Sequence, residues 1–417
     1  MLRLSLMLVV FVDVMGQGLI LPIVNTLLID PSSQFLAAGT SHGTRQLYYG
    51  LLLGSFYIFW FFGAAYISKL SDYIGRKKGI VICLLGALVG YVLTAVAIDQ
   101  ASYWLLLAGR AISGFTAGNQ PIAQAALIDL SRTDDERTRN MGKIVAALAL
   151  GLVAGPVFAG VLSDTNLIGS YASLELPFIF AAVLVFLTLA LVLVFYHDAR
   201  TERRRIDFGV EEVFLNLWRI RHRPTVIKVA VIWFFSEIGL NSLFIYMEDY
   251  TIALFGFGTF QNSMLMAVFG LVMAFCSAVL VGPLTARFRK IPTVTAAMAV
   301  MAVSLAAFTF NDDPALVYIL IVPVVVGFAI AYPTQLALFA ASVGDDEQGW
   351  VMGVSIALFT LGSGLISLAG GAMMAIDVHL PFIAGVASFV VALVFVAIFW
   401  RQPDFKALDR DAPSRGT

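Results

Sequence analysis

The chain has 417 residues, 60% of them hydrophobic and only 13% charged, with 26 Lys and Arg against 27 Asp and Glu. Soluble domains carry about 25% charged residues, and a net charge of −1 offers no cationic surface to nucleic acid. The charges cluster in short segments between long apolar runs, which excludes a soluble globular class and points to a chain that crosses a membrane many times.

About 20 apolar residues cross a bilayer as a helix. Windows of that length predict twelve spans, near 4–29, 47–70, 79–98, 103–129, 144–163, 176–197, 227–253, 262–286, 291–310, 315–342, 350–375 and 380–400. The first run is long enough to span and has no clear small-residue cleavage site, so no cleavable signal is expected. It contains FVDVMGQGLILPIV (11–24), in which Asp13 interrupts apolar sequence. A carboxylate in hydrocarbon costs roughly 2.5–3.5 kcal/mol even on the gentlest scale, so Asp13 needs a reason to be there. Gln17, one turn on, extends its polar face. After span 2 comes SKLSDYIGRKKG (68–79), rich in cations.

Span 4 contains GRAISGF (109–115), and Arg110 is the one basic residue expected well inside a span. Its guanidinium does not readily lose its proton and needs an acceptor or anionic neighbour. On one continuous helix Arg110, Gly114, Pro121 and Gln124 would share a face, and Asp13 is a natural partner on a neighbouring span. A balance between burial and a nearby arginine would let such a carboxylate gain and lose a proton in place; a purely structural ion pair is the plainer alternative. Span 5 carries GLVAGPVFAG (151–160), whose glycines and Pro156 permit close helix approach and a bend.

HDARTERRRIDFGVEEVFLNLWRIRHRP (197–224) is the extended polar break. Val213, Leu217 and Ile220 sit at helical spacing beside basic residues, which predicts an amphipathic helix on the membrane surface or, failing that, a solvated linker. The expected division is therefore 1–197 as one six-helix bundle, 198–226 as linker, 227–400 as a second bundle and 401–417 as a tail. Span 7 contains FSEIGLN (235–241), where Glu237, Asn241 and Glu248 share a face. Glu248 and Asp249 are expected near the outer end, in solvent. Cys83 and Cys276 lie in apolar runs, and His42, His197, His222 and His379 lie near helix ends or in loops. No metal site, cofactor or nucleophile–base pair is visible.

Lys and Arg orient the chain. Arg76, Lys77 and Lys78, then Arg132, Arg137, Arg139 and Lys143, then the arginines of the central break, all fall on one side, whereas the opposite loops hold Arg45. Both termini are expected in the cytoplasm. The halves also repeat: DDERTRNMG (134–142) aligns with DDEQGWVMG (345–353), Gly151 with Gly362, Gly160 with Gly371, and Asp13 has a counterpart in Glu237. Two such halves about a midplane site form a known transporter plan.

The loop motif resembles GxLxDxxGRKx of the major facilitator superfamily, with Ser68 where glycine is usual and Asp72, Gly75, Arg76 and Lys77 matching. GRAISGF resembles that family's span-4 RxxxG, and GLVAGPVFAG its antiporter-associated span-5 GxxxGPxxxG. DVMGQGLILP (13–22) resembles span 1 of the tetracycline and multidrug efflux branch. The resemblance implies an all-α integral membrane fold, twelve helices in two pseudo-symmetric six-helix bundles. It further implies a cytoplasmic latch in which Asp72 faces the start of span 11 and Arg76 pairs with Asp129, and a span-5 seal at Gly151, Gly155, Pro156 and Gly160. The repeat of the latch, GPLTARFRK (282–290), has Ala286 in place of the acid and looks degenerate. Substrate-facing candidates are Gln17, Tyr57, Gln120, Gln124, Asn241, Tyr332 and Gln335.

These readings favour a monomeric proton-coupled exporter of an amphiphilic small molecule in a bacterial inner membrane, with Asp13, Glu237 and Arg110 coupling protons. A proton-coupled importer of a nutrient or metal chelate is the alternative within transport. A non-transporting sensor on the same fold is disfavoured by the desolvation cost of its buried acids.

Overall fold

The computed structural model describes residues 2–30, 32–130, 134–197, 218–344 and 347–409. Among these, regular structure is entirely helical. Eleven helices are long and apolar enough to cross a membrane. Spans 1 to 3 are Leu2–Leu28, His42–Ile74 and Arg76–Asp99; spans 5 and 6 are Asp134–Ser163 and Leu176–Phe195. Spans 7 and 9 to 12 are Pro224–Phe255, Lys290–Thr309, Pro314–Ala341, Gln348–Ile376 and Leu380–Phe399. Span 8 is Thr259–Phe275 continued through a π-helical turn, Cys276–Leu280, into Val281–Arg287.

The twelfth crossing, span 4, is not one helix but two, Tyr103–Phe115 and Asn119–Asp129. Pro121 lacks the N–H that would bond the Ala117 carbonyl, yet fits the first turn of a new helix. Thr116 Oγ1 meanwhile turns back onto Ile112 O at 2.8 Å. The face that Arg110 and Gly114 were expected to share with Pro121 and Gln124 is thereby broken.

The chain forms two compact units, Met1–Asp207 with Thr251–Gly270, and Phe208–Tyr250 with Leu271–Thr417. In the first, span 1 packs most extensively on span 5, span 3 on spans 4 and 6, and span 2 on span 4. In the second, span 9 packs on spans 10 and 12, the counterparts of the 3–4 and 3–6 pairings. The repeat extends to its glycines. Gly151 approaches Phe11 and Met15 of span 1, and Gly362 approaches Phe234 and Ile238 of span 7.

The core of the second unit gathers Val226, Trp233, Met298, Phe339, Val354 and Val396. The start of the segment expected as a tail joins it: Pro403–Ala407 is a short helix, and Phe405 and Leu408 are buried in that core. Asp404 accepts from Lys228 Nζ at 2.5 Å and Thr225 Oγ1 at 3.1 Å. The Lys228 ammonium, followed by the Thr225 hydroxyl, holds the Asp404 carboxyl below its ordinary value. The lowered folded value places this small contribution above about pH 4 and removes it as pH falls through the folded value. Asp409 Oδ1 accepts from the Ile291 N–H at 3.0 Å, capping span 9 from a distant part of the chain. Asp409→Ala leaves that buried donor without its acceptor, a loss of about 1 kcal/mol. Amide exchange at Ile291 should then speed up about fivefold, and an unchanged rate would show that the cap carries no stability.

The amphipathic segment predicted in the linker falls largely outside the described residues; Arg219–His222 is a single 3-10 turn. Arg223 and Arg219 pair with Glu347 at 2.6 and 3.8 Å.

Candidate functional site

The polar elements of the first unit converge on the break in span 4. Asp13 is half-buried near the middle of span 1. The Asn119 amide, 1% exposed, lies beside it at the first turn of the half-helix Asn119–Asp129, near enough to interact with the carboxylate but without a full hydrogen bond from either amide atom among the described residues. A helix N-terminus carries about half a positive charge. The broken span therefore brings a favourable dipole to a carboxylate that a continuous helix could not serve.

Arg110 is 5% exposed, with its guanidinium carbon 4.2 Å from the centre of the Phe56 ring, a cation–π contact. Its Nε has no hydrogen-bond partner among the described residues. The expected direct pairing with Asp13 is not made. Instead Tyr91 stands within electrostatic range of both residues, its hydroxyl packed against Gly16. Tyr57 lies within the same range of Arg110. Phe56 is held in place because span 4 touches span 2 through Gly114, where a Cβ would run into the Phe56 backbone. Gln17, Gln120 and Gln124 are half-buried and make no hydrogen bond among the described residues.

In the second unit Glu237 is 2% exposed. Asn241 Nδ2 donates to the Glu237 carbonyl at 2.9 Å and reaches toward its Oε2 at 3.5 Å. Tyr332 lies within electrostatic range of Glu237, and its ring sits 5.2 Å from that of Trp233. Ser236 Oγ donates to Gln335 Oε1 at 3.0 Å, and Trp233 Nε1 donates to Ser355 O at 3.0 Å. Spans 7, 10 and 11 are thus tied together around Glu237, and Asn241, Tyr332 and Gln335 are gathered there. Glu248 and Asp249, expected in solvent, are each 1% exposed. Their position near a helix end does not keep them in solvent.

At the loop after span 2, Gly75 has φ +101° and serves as both the last cap of span 2 and the first of span 3. A side chain there would be strained. Arg76 Nη1 donates to Ser71 Oγ at 3.0 Å, and Lys77 Nζ donates to Leu193 O at 2.7 Å, near the end of span 6. That lysine covers one of the carbonyls a helix end leaves unsatisfied, a role its motif did not announce. The side chains of Asp72 and Asp129 lie outside the described residues. The span-5 motif does pack: a Cβ on Gly155 would strike Met15 O, one on Gly18 would meet Pro156 Cδ, and one on Gly160 would meet Ser263 Oγ.

Sequence reasoning missed Asn119, Tyr91 and Phe56 in the first unit, and Ser236, Trp233 and Ser355 in the second. Only Asn119, between glycine and a glutamine–proline pair, carried a local signal, that of a helix start. No group of three or more His, Cys, Asp or Glu side chains that could hold a metal ion occurs among the described residues.

The sequence profile described as Major Facilitator Superfamily matches residues 6–281 and 273–416. The chain is 28% identical over 394 residues to "Tetracycline resistance protein, class C" of Escherichia coli, covering 92% of this chain and 93% of that one. It is 20% identical over 392 residues to "Quinolone resistance protein NorA" of Staphylococcus aureus (strain COL), covering 93% and 94%. Among solved structures, the human organic anion transporter MFSD10 superposes with a TM-score of 0.72 at 19% identity, covering 95% and 98%. The D-xylose-proton symporter does so at 0.74 and 14%, covering 97% and 98%. These two likenesses concern the fold. The profile runs through both units, and the chain belongs to the major facilitator superfamily, a family of membrane transporters and not of enzymes.

Proposed function

We propose that this transporter is a proton-coupled exporter of an amphiphilic small molecule, working by alternating access as a monomer in a bacterial inner membrane, both termini cytoplasmic. The observation that carries the reading is the placement of an acid in each unit, Asp13 and Glu237, at corresponding places in membrane-spanning helices, with no basic side chain paired to either among the described residues. An acid neutralised by a permanent ion pair would be structural. One served by amides, a helix end and a tyrosine is free to exchange a proton as its surroundings change. Arg110, held on Phe56, supplies a fixed positive charge within the same unit. Asn241, Tyr332, Gln335 and Tyr57 supply aromatic and amide surface of the kind that receives amphiphiles, and Gln17, Gln120 and Gln124 are proposed to extend it. The names of the relatives, resistance proteins for tetracycline and quinolone, favour export over uptake.

The test is accumulation by everted membrane vesicles, with tetracycline and a quinolone included in a substrate panel. An imposed pH gradient, acid inside, should drive uptake, and a protonophore should abolish it. Uptake indifferent to the protonophore would remove proton coupling, and no uptake of any panel member would remove the amphiphile reading.

We further propose that Asp72, Gly75, Arg76, Lys77 and Asp129 form the cytoplasmic latch, and that Gly151, Gly155, Pro156 and Gly160 limit leak. Asp72→Asn should then lower turnover about tenfold, equivalent to about 1.4 kcal/mol, with substrate affinity changed less than about twofold. Equal changes in both would point to the binding site instead.

A further inference from the structure

Spans 3 and 6 pack against each other in the first unit but leave a cavity of about 640 Å³ along their exposed faces. Its walls are Leu88, Val92 and Val96 from span 3 and Ile179, Val183 and Phe186 from span 6. Most of these are exposed, and in a membrane-spanning pair of helices exposure of such residues means contact with lipid. Asp99 and Glu175 line one end, the end away from Arg76, Lys77 and Lys78.

The spacing is regular on both sides. Positions 88, 92, 96 and 99 recur at helical intervals on span 3, and 175, 179, 183 and 186 do so on span 6. Eleven residues at 1.5 Å each give a groove about 16 Å long, close to half of the ~30 Å hydrocarbon thickness. The groove is therefore one leaflet deep, apolar along its length and anionic at its mouth.

The two carboxylates at the mouth have no side-chain partner among the described residues, although Glu175 sits at the start of span 6, where the helix dipole favours its charge. Neither Asp99 nor Glu175 has a hydrogen bond or ion pair from its side chain among the described residues. Asp99 is moreover the last residue of its helix, where the helix dipole disfavours a negative charge. Ser173, also in the lining, is already engaged with the Leu176 N–H at 3.2 Å. A ligand that fits both features has an apolar body one leaflet long and a cationic head. We propose that this groove binds a cationic amphiphile drawn from the adjoining leaflet, with its head at Asp99 and Glu175 and its body along Val92, Val96, Val183 and Phe186.

None of the lining residues is an acid of the proposed exchange cycle, and the test is independent of transport. A tetradecyltrimethylammonium carrying a diazirine on its chain is photolysed with the purified full-length protein in dodecyl maltoside, and the labelled peptides are mapped. Label should fall on peptides containing 88–99 and 173–186, and unlabelled amphiphile should displace it. The double substitution Asp99→Asn, Glu175→Gln should reduce labelling about tenfold, the loss of a charge-assisted contact. Val183→Trp, which fills the groove and leaves both acids, should reduce it comparably. Asp13→Asn should leave it intact. Labelling elsewhere, labelling of either groove variant at the level of the unsubstituted protein, or equal labelling by a chain-matched alkyl sulfate overturns the proposal. So does displacement by phosphatidylethanolamine but not by the amphiphile, which would make the groove a phospholipid site.

Discussion

Asp13→Asn should reduce gradient-driven transport by at least roughly a hundredfold, the scale on which an obligatory proton carrier acts, while leaving the protein folded and inserted. Asparagine has nearly the shape of aspartate but exchanges no proton at any accessible pH. It also removes the desolvation burden of a carboxylate on a half-buried position of span 1, so stability has no reason to fall. The Asn119 amide beside it finds another amide and retains a polar neighbour. Substrate exchange without a gradient, measured by counterflow in the same vesicles, should persist, because it needs the site to reorient but not to change protonation. Retention of full pH-driven uptake by this variant would falsify the assignment of Asp13 to coupling. Loss of counterflow along with uptake would instead place Asp13 in substrate binding.

The second large effect is expected at Gly155, through packing and not chemistry. A Cβ added there would run into Met15 O and come within 2.9 Å of Leu19 N. Both are backbone atoms of span 1, which cannot swing aside as a side chain can. Gly155→Val should therefore force spans 1 and 5 apart and destabilise the protein by about 3 kcal/mol, the upper part of the range for overpacking. Gly160 offers the control from the same motif. Its added Cβ meets Ser263 Oγ at 2.6 Å and Ser263 Cβ at 2.7 Å; the hydroxyl can rotate away, and the single carbon that remains yields by a local shift of Ser263, whereas Gly155 faces two backbone atoms of a long helix. Gly160→Ala should cost less than about 1.5 kcal/mol. Thermal unfolding of the purified variants in detergent measures the contrast, and equal losses at both positions would show that the backbone contact does not set the spacing.

Those two residues also mark how far local sequence carries. Gly155 was visible as part of a spaced glycine–proline motif, and its partner was not, because a glycine records that something comes close but never what. Asp13 was conspicuous as an acid in hydrocarbon. What makes it tolerable was misjudged: the nearest cation in sequence logic, Arg110, rests on Phe56, and Asn119 took the place beside the acid. That exchange follows from the break after Phe115. Pro121 and Gly118 signalled a helix boundary, but a 27-residue apolar run equally satisfied the length of one span, and length prevailed in the reading. Glu248 and Asp249 failed for a related reason, since nearness to a helix end says nothing about the neighbours packed around it.

Apolar run lengths were sufficient for the twelve crossings, and a duplicated set of glycines and acids for the expectation of two halves, because lipid leaves a spanning chain few alternatives to helices with internally satisfied backbones; the family was legible in the motifs of spans 1, 4 and 5 and of the loop after span 2. Which side chains meet was settled only by packing. Tyr91 against Gly16, Arg110 on Phe56, Ser236 with Gln335 and Asp409 on the start of span 9 join residues far apart in the chain, and their contacts depend on helix rotation and approach distance, quantities that emerge only when all the helices are fitted together.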